Sequence, residues 1–574
     1  MSWEVPIMRV SLQKSKNRQF VYIVKDFYSN GKRTTKIMEK LGTVADLMEE
    51  KNCSYDEVLS WAKEKAKTMT ENEKKEETKI LLSFSTNELI PSDERRSFNC
   101  GYLFLQSILY QMKIHNIFRN ISSRHKCEYS LESIFTDLIY SRVLSPSSKR
   151  SSYDFAKSLL EPPKYELEDV YRSLSVLAKE KDYIIAELYK NSHFVHPRNT
   201  STLYYDCTNY YFEIEEEDGN KRYGKSKENR PNPIIGMGLF MDGDGIPLTY
   251  SLFPGNQNEQ LSLKPLEKKM IRDFDLSKFI YCSDAGLASS SNKKFNSVHD
   301  RAYVITQSIK KLKKEDRDLA LDLSRFKNTL TGDRLDMDNI GLNELYYQEI
   351  PLEGKVDERL IVTYSPKYAQ YQKKIRDNQI ERAKKMIQKN GKIRKRRNNP
   401  NDPARFVETI MNNENGEVIE TTNQINQEKI DEEARYDGIY AISTNLEDDD
   451  VSKIIQISER RWQIEECFRI LKTEFKARPI YLQLEDRIDA HFLTCFCSLL
   501  VIRLLSNKLD NKYTIGELLE TLRTMELTDT DQGSYLPSYT RTALTDDLHE
   551  TFGFRTDYQI LLKKKVRSII KSTK

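Results

Sequence analysis

At residue 200 the apolar period of this chain changes, and that change constrains its fold more than any other feature. Before it, YLFLQSILYQM, SLESIFTDLIYSRVL and VYRSLSVLAKEKDYIIAELY place apolar residues every three or four positions, broken by SPSSKRSS and EPPKY, which predicts a run of helices. After it, STLYYDCTNYYFEI, PIIGMGLFM and IPLTYSLF read as strands, the last two joined by the turn signal DGDG. A helix, EQLSLKPLEKKMIRDF, and the strands KFIYCSD and RAYVITQS follow. An all-helical domain feeding a mixed α/β core is therefore expected, since one element type cannot satisfy both periods.

Three strands, a helix and a fourth strand is the order of a ribonuclease H-like core, so the expected fold is an α/β ribonuclease H-like catalytic core. Its first part runs over 199–315 and its second over 435–480, where YDGIYAISTN resumes a strand. The segment between them, 316–434, holds LYYQEIPL, RLIVTYS and a basic run. It is too long for a plain loop and predicts a β-containing insertion. A small β arm and charged helical linker are expected over 1–90, with FVYIVKDFY and TTKIMEKLG around the turn SNGK. The α-helical domain occupies 91–198 and a C-terminal helical region 481–574, whose segment RIDAHFLTCFCSLLVIRLL reads as core.

At 574 residues several units are expected. No apolar run approaches the length that spans a bilayer, and the first residues lack the apolar core of a secretory signal. A cytoplasmic, nucleoid-associated protein with no membrane partner is thus expected. The eight cysteines show no CxxC spacing and read as reduced, packed thiols. Net charge is only +4, yet from Lys373 to Arg397 twelve Lys or Arg residues face two acids. Such a run is either a solvated helix or a surface for phosphates.

The segment RWQIEECFRILK, 461–472, sets Arg461, Glu465 and Lys472 along one line of a helix beside the apolar stripe Ile464, Phe468, Leu471 and Phe475. Alone, Arg461 and Glu465 read equally as a surface ion pair or as part of a site. Asp206 is a charge in the first strand, YYDCTNYY, where an unpaired carboxylate is costly to bury. Asp284 ends the fourth strand, where open α/β sheets place their sites. Each acid alone reads as a cap or turn residue. Together with Glu465 they form a set that can hold two divalent cations for phosphodiester displacement, with magnesium suited to a few carboxylates and substrate phosphates. Asp242 and Asp244 read as turn residues, and Trp462 and His491 as packing residues.

The set YDCTNYYFE, GKSKENRPNP, GMGLFMDGDGIPLTYSLFPGN, CSDAGLAS, YDGIYAISTN and RRWQIEECFRILK resembles the bacterial insertion-sequence transposases of the DDE class, in the group with a strand-rich insertion in the catalytic domain. The resemblance implies that Asp206, Asp284 and Glu465 are the catalytic, metal-binding acids. Arg461 and Lys472 match the basic positions that grip the transposon-end backbone. Ser458 stands where the family has a tyrosine; it keeps a hydroxyl for DNA and loses the aromatic reach. Lys225, Lys227 and Arg230 in GKSKENRP, and Lys392, Arg394, Lys395, Arg396 and Arg397 in the basic run, are the further expected DNA contacts. The implied cofactor is Mg2+, with Mn2+ substituting. The implied partners are double-stranded DNA, as terminal inverted repeats and target, and a second copy in a synaptic homodimer. The implied activity is cleavage at the element's ends and joining of the 3′-hydroxyls to target DNA, with a hairpin intermediate left open. A nuclease without strand transfer and an inactive transposase-derived DNA-binding protein are the alternatives.

Overall fold

The computed structural model describes residues 8–15, 18–29, 32–77, 80–352, 358–389, 399, 401–414, 417–447 and 449–574, with backbone alone for 27–29, 32–33, 73–77, 410–414 and 417–422. The chain forms two compact units, Met1–Glu94 with Asp529–Tyr535, and Arg95–Thr528 with Leu536–Lys574.

In the first unit, β1 (Arg9–Ser15), β2 (Arg18–Ser29) and β3 (Lys32–Thr43) form an antiparallel meander, followed by α1 (Val44–Lys51) and α2 (Tyr55–Glu77). The period-two positions Val21 and Ile23 of β2 turn inward and meet Val44, Leu47, Val58, Ala62 and Ala66 from the helices. The spacing 58, 62, 66 is one face of α2. Asn30 and Gly31 of the expected turn lie outside the described residues.

The second unit opens with β4 (Ser97–Asn99) and six helices: α3 (Tyr102–Gln111), α4 (Ile114–His125), α5 (Leu131–Leu144), α6 (Lys149–Ala156), α7 (Leu167–Lys179) and α8 (Lys181–Ser192). Ser130 and Ser148 cap α5 and α6 by accepting from the backbone N–H of Ser133 and Ser151. The sheet elements follow: β5 (Thr202–Tyr211), β6 (Ile234–Met241), β7 (Pro247–Pro254), α9 (Leu263–Phe274), β8 (Ile280–Ser283), α10 (Ser290–Phe295) and β9 (Ala302–Thr306). Then come α11 (Lys314–Ala320), β10 (Lys327–Asn328), β11 (Tyr346–Leu352), β12 (Glu358–Tyr364), α12 (Pro366–Gln388), β13 (Val407–Glu414), β14 (Glu417–Ile425), α13 (Gln427–Ala434) and β15 (Ile439–Thr444). The site helices are α14 (Val451–Glu459), α15 (Trp462–Arg469) and α16 (Glu485–Lys508).

Nine strands make one mixed sheet in the order β10-β11-β12-β15-β9-β8-β5-β6-β7. β5 pairs antiparallel with β6, and β6 with β7, while β5, β8 and β9 run parallel. Helices cover both faces of the central strands. Leu203, Tyr205 and Cys207 of β5 pack with Leu263, Leu266 and Met270 of α9 on one face. On the other, Tyr204 donates its hydroxyl to the Ile457 carbonyl of α14 at 3.0 Å, and the Tyr210 ring meets Phe492 of α16 at 4.9 Å. Cover on both faces explains why β5 is buried along almost its whole length.

Strands β10, β11 and β12, from the segment expected as an insertion, extend the main sheet through β12 and β15. The rest of that segment packs α12, the β13–β14 hairpin and α13 around Ala383, Phe406, Val407 and Ile430. Helix α16 contradicts the expectation that no segment is apolar enough to cross a bilayer: its mean hydropathy reaches 1.8 over 18 residues. That stretch is 94% buried within the protein. The tally of apolar residues in its sequence is interrupted by polar ones such as Thr494, Ser498 and Arg503, which are themselves buried.

The β6–β7 turn is built on a buried ion pair. Asp242 accepts from the backbone N–H of Asp244 and Ile246 and from Arg198 Nε at 2.6 Å, with neither charged side chain exposed. Arg198 also donates to the Ile246 and Pro247 carbonyls and to Ser192. Gly245 sits at φ +75°, and a Cβ there would lie 2.3 Å from the Arg503 guanidinium, so the turn requires glycine on both counts.

Candidate active site

The parallel register of β5 and β8 pairs Tyr204 with Cys282, and both side chains reach the carbonyl of Ile457 in α14. Side chains alternate along a strand, so two residues further on Asp206 and Asp284 share that face. Their charges interact: the Asp206 carboxyl is held up to about 6, first by burial, opposed by the Lys227 ammonium and reinforced by Asp284. Asp206 Oδ1 accepts from the Cys207 N–H at 2.7 Å. Asp284 Oδ1 accepts from the N–H groups of Gly286 and Leu287 at 3.0 and 3.2 Å, capping a short 3₁₀ turn. Backbone geometry thus fixes both acids before any ligand arrives.

Arg461 opens α15 above these acids. Its Nη1 lies 3.2 Å from Glu465 Oε1, its charge is coupled to Asp206, and its Nε is buried with no hydrogen-bond partner. Glu465 is exposed. The structure therefore brings Asp206, Asp284 and Arg461 together and pairs Glu465 with the guanidinium. Among the described residues, no three His, Cys, Asp or Glu side chains group closely enough to hold a metal ion. The Asp206–Asp284 pair nonetheless fits a hard divalent cation: both donors are carboxylate oxygens, and their mutual repulsion is what such an ion relieves.

Lys472 departs from the line read in the sequence. Residues Ile470–Glu474 form a π-helical turn, whose wider winding shifts the phase of everything after Arg469. Lys472 turns inward, 3.4 Å from Glu228 and over the Tyr210 ring at 5.5 Å, and burial lowers its pKa. Glu228 also pairs with Arg478. Ser458 is buried at the end of α14, only 7% exposed.

The loop GKSKENRP is anchored by Asn209, which donates to the Lys225 carbonyl and accepts from the Lys227 N–H. That anchor places the Lys227 ammonium on the Cys207 carbonyl and 3.4 Å from Glu259. Lys225 is exposed, and Arg230 lies over the Tyr211 ring at 5.1 Å. Lys392, Arg394, Lys395, Arg396 and Arg397 lie outside the described residues. Upstream of them, α12 is fixed by Arg376, 2.6 Å from Asp437, and exposes Lys373, Lys374, Arg382, Lys384 and Lys385.

Sequence reasoning missed Asn209 and Glu228. Asn209 gave no signal beyond its polarity in a buried strand. Glu228 could have been found as the one acid in a loop of cations.

A strand-borne acid pair beneath a helix carrying arginine and glutamate defines a candidate phosphodiester-processing centre. The transposase DDE domain family matches residues 211–501, half of the chain, and the chain belongs to that family. The matched span contains Asp284, Arg461 and Glu465, and begins five residues after Asp206. A search of curated protein sequences gave no match. Among solved structures, a cryo-EM structure of the piggyBac transposase synaptic complex with hairpin DNA is similar at 9% identity and a TM-score of 0.34, covering 83% of this chain and 84% of that one.

Proposed function

We propose that this transposase binds the terminal inverted repeats of its own mobile element, cleaves DNA there and joins the resulting 3′-hydroxyl ends to target DNA. The observation that carries the reading is the electrostatic proximity of Asp206, on β5, to Asp284, just beyond the end of the parallel strand β8, with Arg461 acting on Asp206 and pairing with Glu465. The order β7-β6-β5-β8-β9, with three antiparallel strands and two parallel additions, supports reading the central sheet as a ribonuclease H-like core.

Asp206 and Asp284, joined by Glu465, would hold divalent metal, with Mg2+ the natural ion and Mn2+ a substitute. When bound, such ions lower the pKa of an attacking water or hydroxyl and stabilise the leaving oxygen. The protein's own groups supply the rest. A DNA phosphate arriving at Arg461 competes with Glu465 for the guanidinium, which frees the carboxylate to turn toward the two aspartates. Lys227, held over Cys207, adds positive charge beside the phosphate, and Asn209 keeps that loop in place. Lys225, Arg230 and the outer face of α12 with the basic run after it meet flanking backbone phosphates, giving affinity that falls steeply with salt. Two ends must be held together, so the working unit is a homodimer on two DNAs, acting in the nucleoid of a bacterial cell.

Metal binding has a readout independent of cleavage. With its pKa raised to about 6 in the folded protein, above the ordinary ~3.9, Asp206 adds stability fully present below ~3.9 and lost as pH rises through about 6. At pH 7.5 in EDTA the buried charge therefore costs stability. Thermal unfolding is expected to show Asp206→Asn melting above the wild type in EDTA. Mg2+ is expected to raise the wild-type midpoint and leave the variant's unchanged. Equal responses to Mg2+ would remove Asp206 from the metal site.

A further inference from the structure

A cavity of about 360 Å³ lies away from the acids, between the α5–α6 connection, α7 and the segment after the π-helical turn. Its lining includes Tyr171, Pro479 and Tyr481. It also includes Arg142, Lys149 and Arg478, and no carboxylate lines the cavity. Three donor atoms there have no partner, Lys149 Nζ, Arg142 Nε and Arg478 Nε, while Arg142 donates elsewhere to the Phe475 and Ser147 carbonyls and Arg478 pairs with Glu228. Lys149 is only 5% exposed and Arg142 only 3%. Buried donors are ordinarily paired, and a buried ammonium with none is costly.

We propose that this cavity binds a nucleotide, with its phosphate on Lys149, Arg142 and Arg478 and its base against Tyr171, Pro479 and Tyr481. An anion satisfies all three orphaned donors through charge-assisted hydrogen bonds. The tyrosines and proline in the lining suit a base, and the volume falls within the range of small-molecule sites. Without an anion the surroundings work against charge: burial and Arg142 push Lys149 down to about 7, and burial, Arg142 and Lys149 itself push His491 down. The shared chemistry is a nucleoside monophosphate, which comes either free or as one nucleotide of a DNA strand.

The test uses the full chain in EDTA, so that strand cleavage plays no part. Deoxyadenosine monophosphate and inorganic phosphate are titrated calorimetrically into the wild type, Lys149→Met and Tyr481→Ala. The proposal expects dAMP to bind more tightly than phosphate. Lys149→Met should weaken both by about tenfold or more, the loss of one charge-assisted contact. Tyr481→Ala, a change at an exposed side chain that leaves the fold alone, should weaken dAMP only. A single-stranded oligonucleotide that displaces dAMP identifies the occupant as a nucleotide of DNA; one that leaves dAMP in place identifies a free nucleotide. Absence of dAMP binding to the wild type, or equal binding by all three proteins, overturns the proposal.

Discussion

Asp206→Ala and Asp284→Ala are each expected to lower strand cleavage at the element's ends by about 10³-fold or more while leaving end binding intact. The magnitude follows from the way groups that act as one unit fail together when any member is removed. The separation of binding from cleavage follows from position. Asp206 lies in the middle of β5 and Asp284 directly after the end of β8, each with its carboxylate pinned by backbone N–H groups, whereas the exposed cations are on the GKSKENRP loop and α12. Removing an aspartate takes negative charge from a surface that must approach phosphate, so binding is expected to hold or to strengthen slightly. An electrophoretic mobility shift and a cleavage assay on the same duplex separate the two effects. Loss of binding in both variants would place the aspartates in the architecture of the site and not in its chemistry.

The largest stability effect is expected at a residue with no part in catalysis. Asp242→Ala leaves Arg198 fully buried without its carboxylate and releases two turn N–H groups. Breaking a buried pair by removing one partner costs about 3–5 kcal/mol. Denaturant unfolding should report a loss of that size. Arg198→Met combined with Asp242→Leu should lose less than Asp242→Ala alone, because no uncompensated charge remains. A loss near zero for Asp242→Ala would mean that the arginine finds water or another acceptor.

Asp242 also shows where sequence reading runs out. In DGDG a turn explains both aspartates, and nothing local reveals that Arg198, 44 residues earlier, is driven into the same buried spot. The period change at residue 200 and the strand carrying Asp206 were legible because they depend on neighbours in sequence. So was the pairing of Arg461 with Glu465, one turn apart on a helix. Lys472 was not, since the π-helical turn at Ile470–Glu474 shifts its direction by local winding that residue type does not encode. The pairing of β12 with β15 was equally hidden, because which strand joins which sheet edge is settled by long-range packing. Glu228, which neutralises Lys472 and Arg478 together, belongs to the same class of long-range contact.

Strand transfer from a pre-cut end tests the central claim most directly. A duplex ending in the element's terminal repeat with a free 3′-hydroxyl is incubated with target DNA and Mg2+, alongside the same reaction with Asp284→Ala. Covalent joining of the 3′ end to target by the wild type, absent in the variant, is the predicted result. Cleavage of DNA by the wild type without any joined product, or joining that persists in Asp284→Ala, would contradict it.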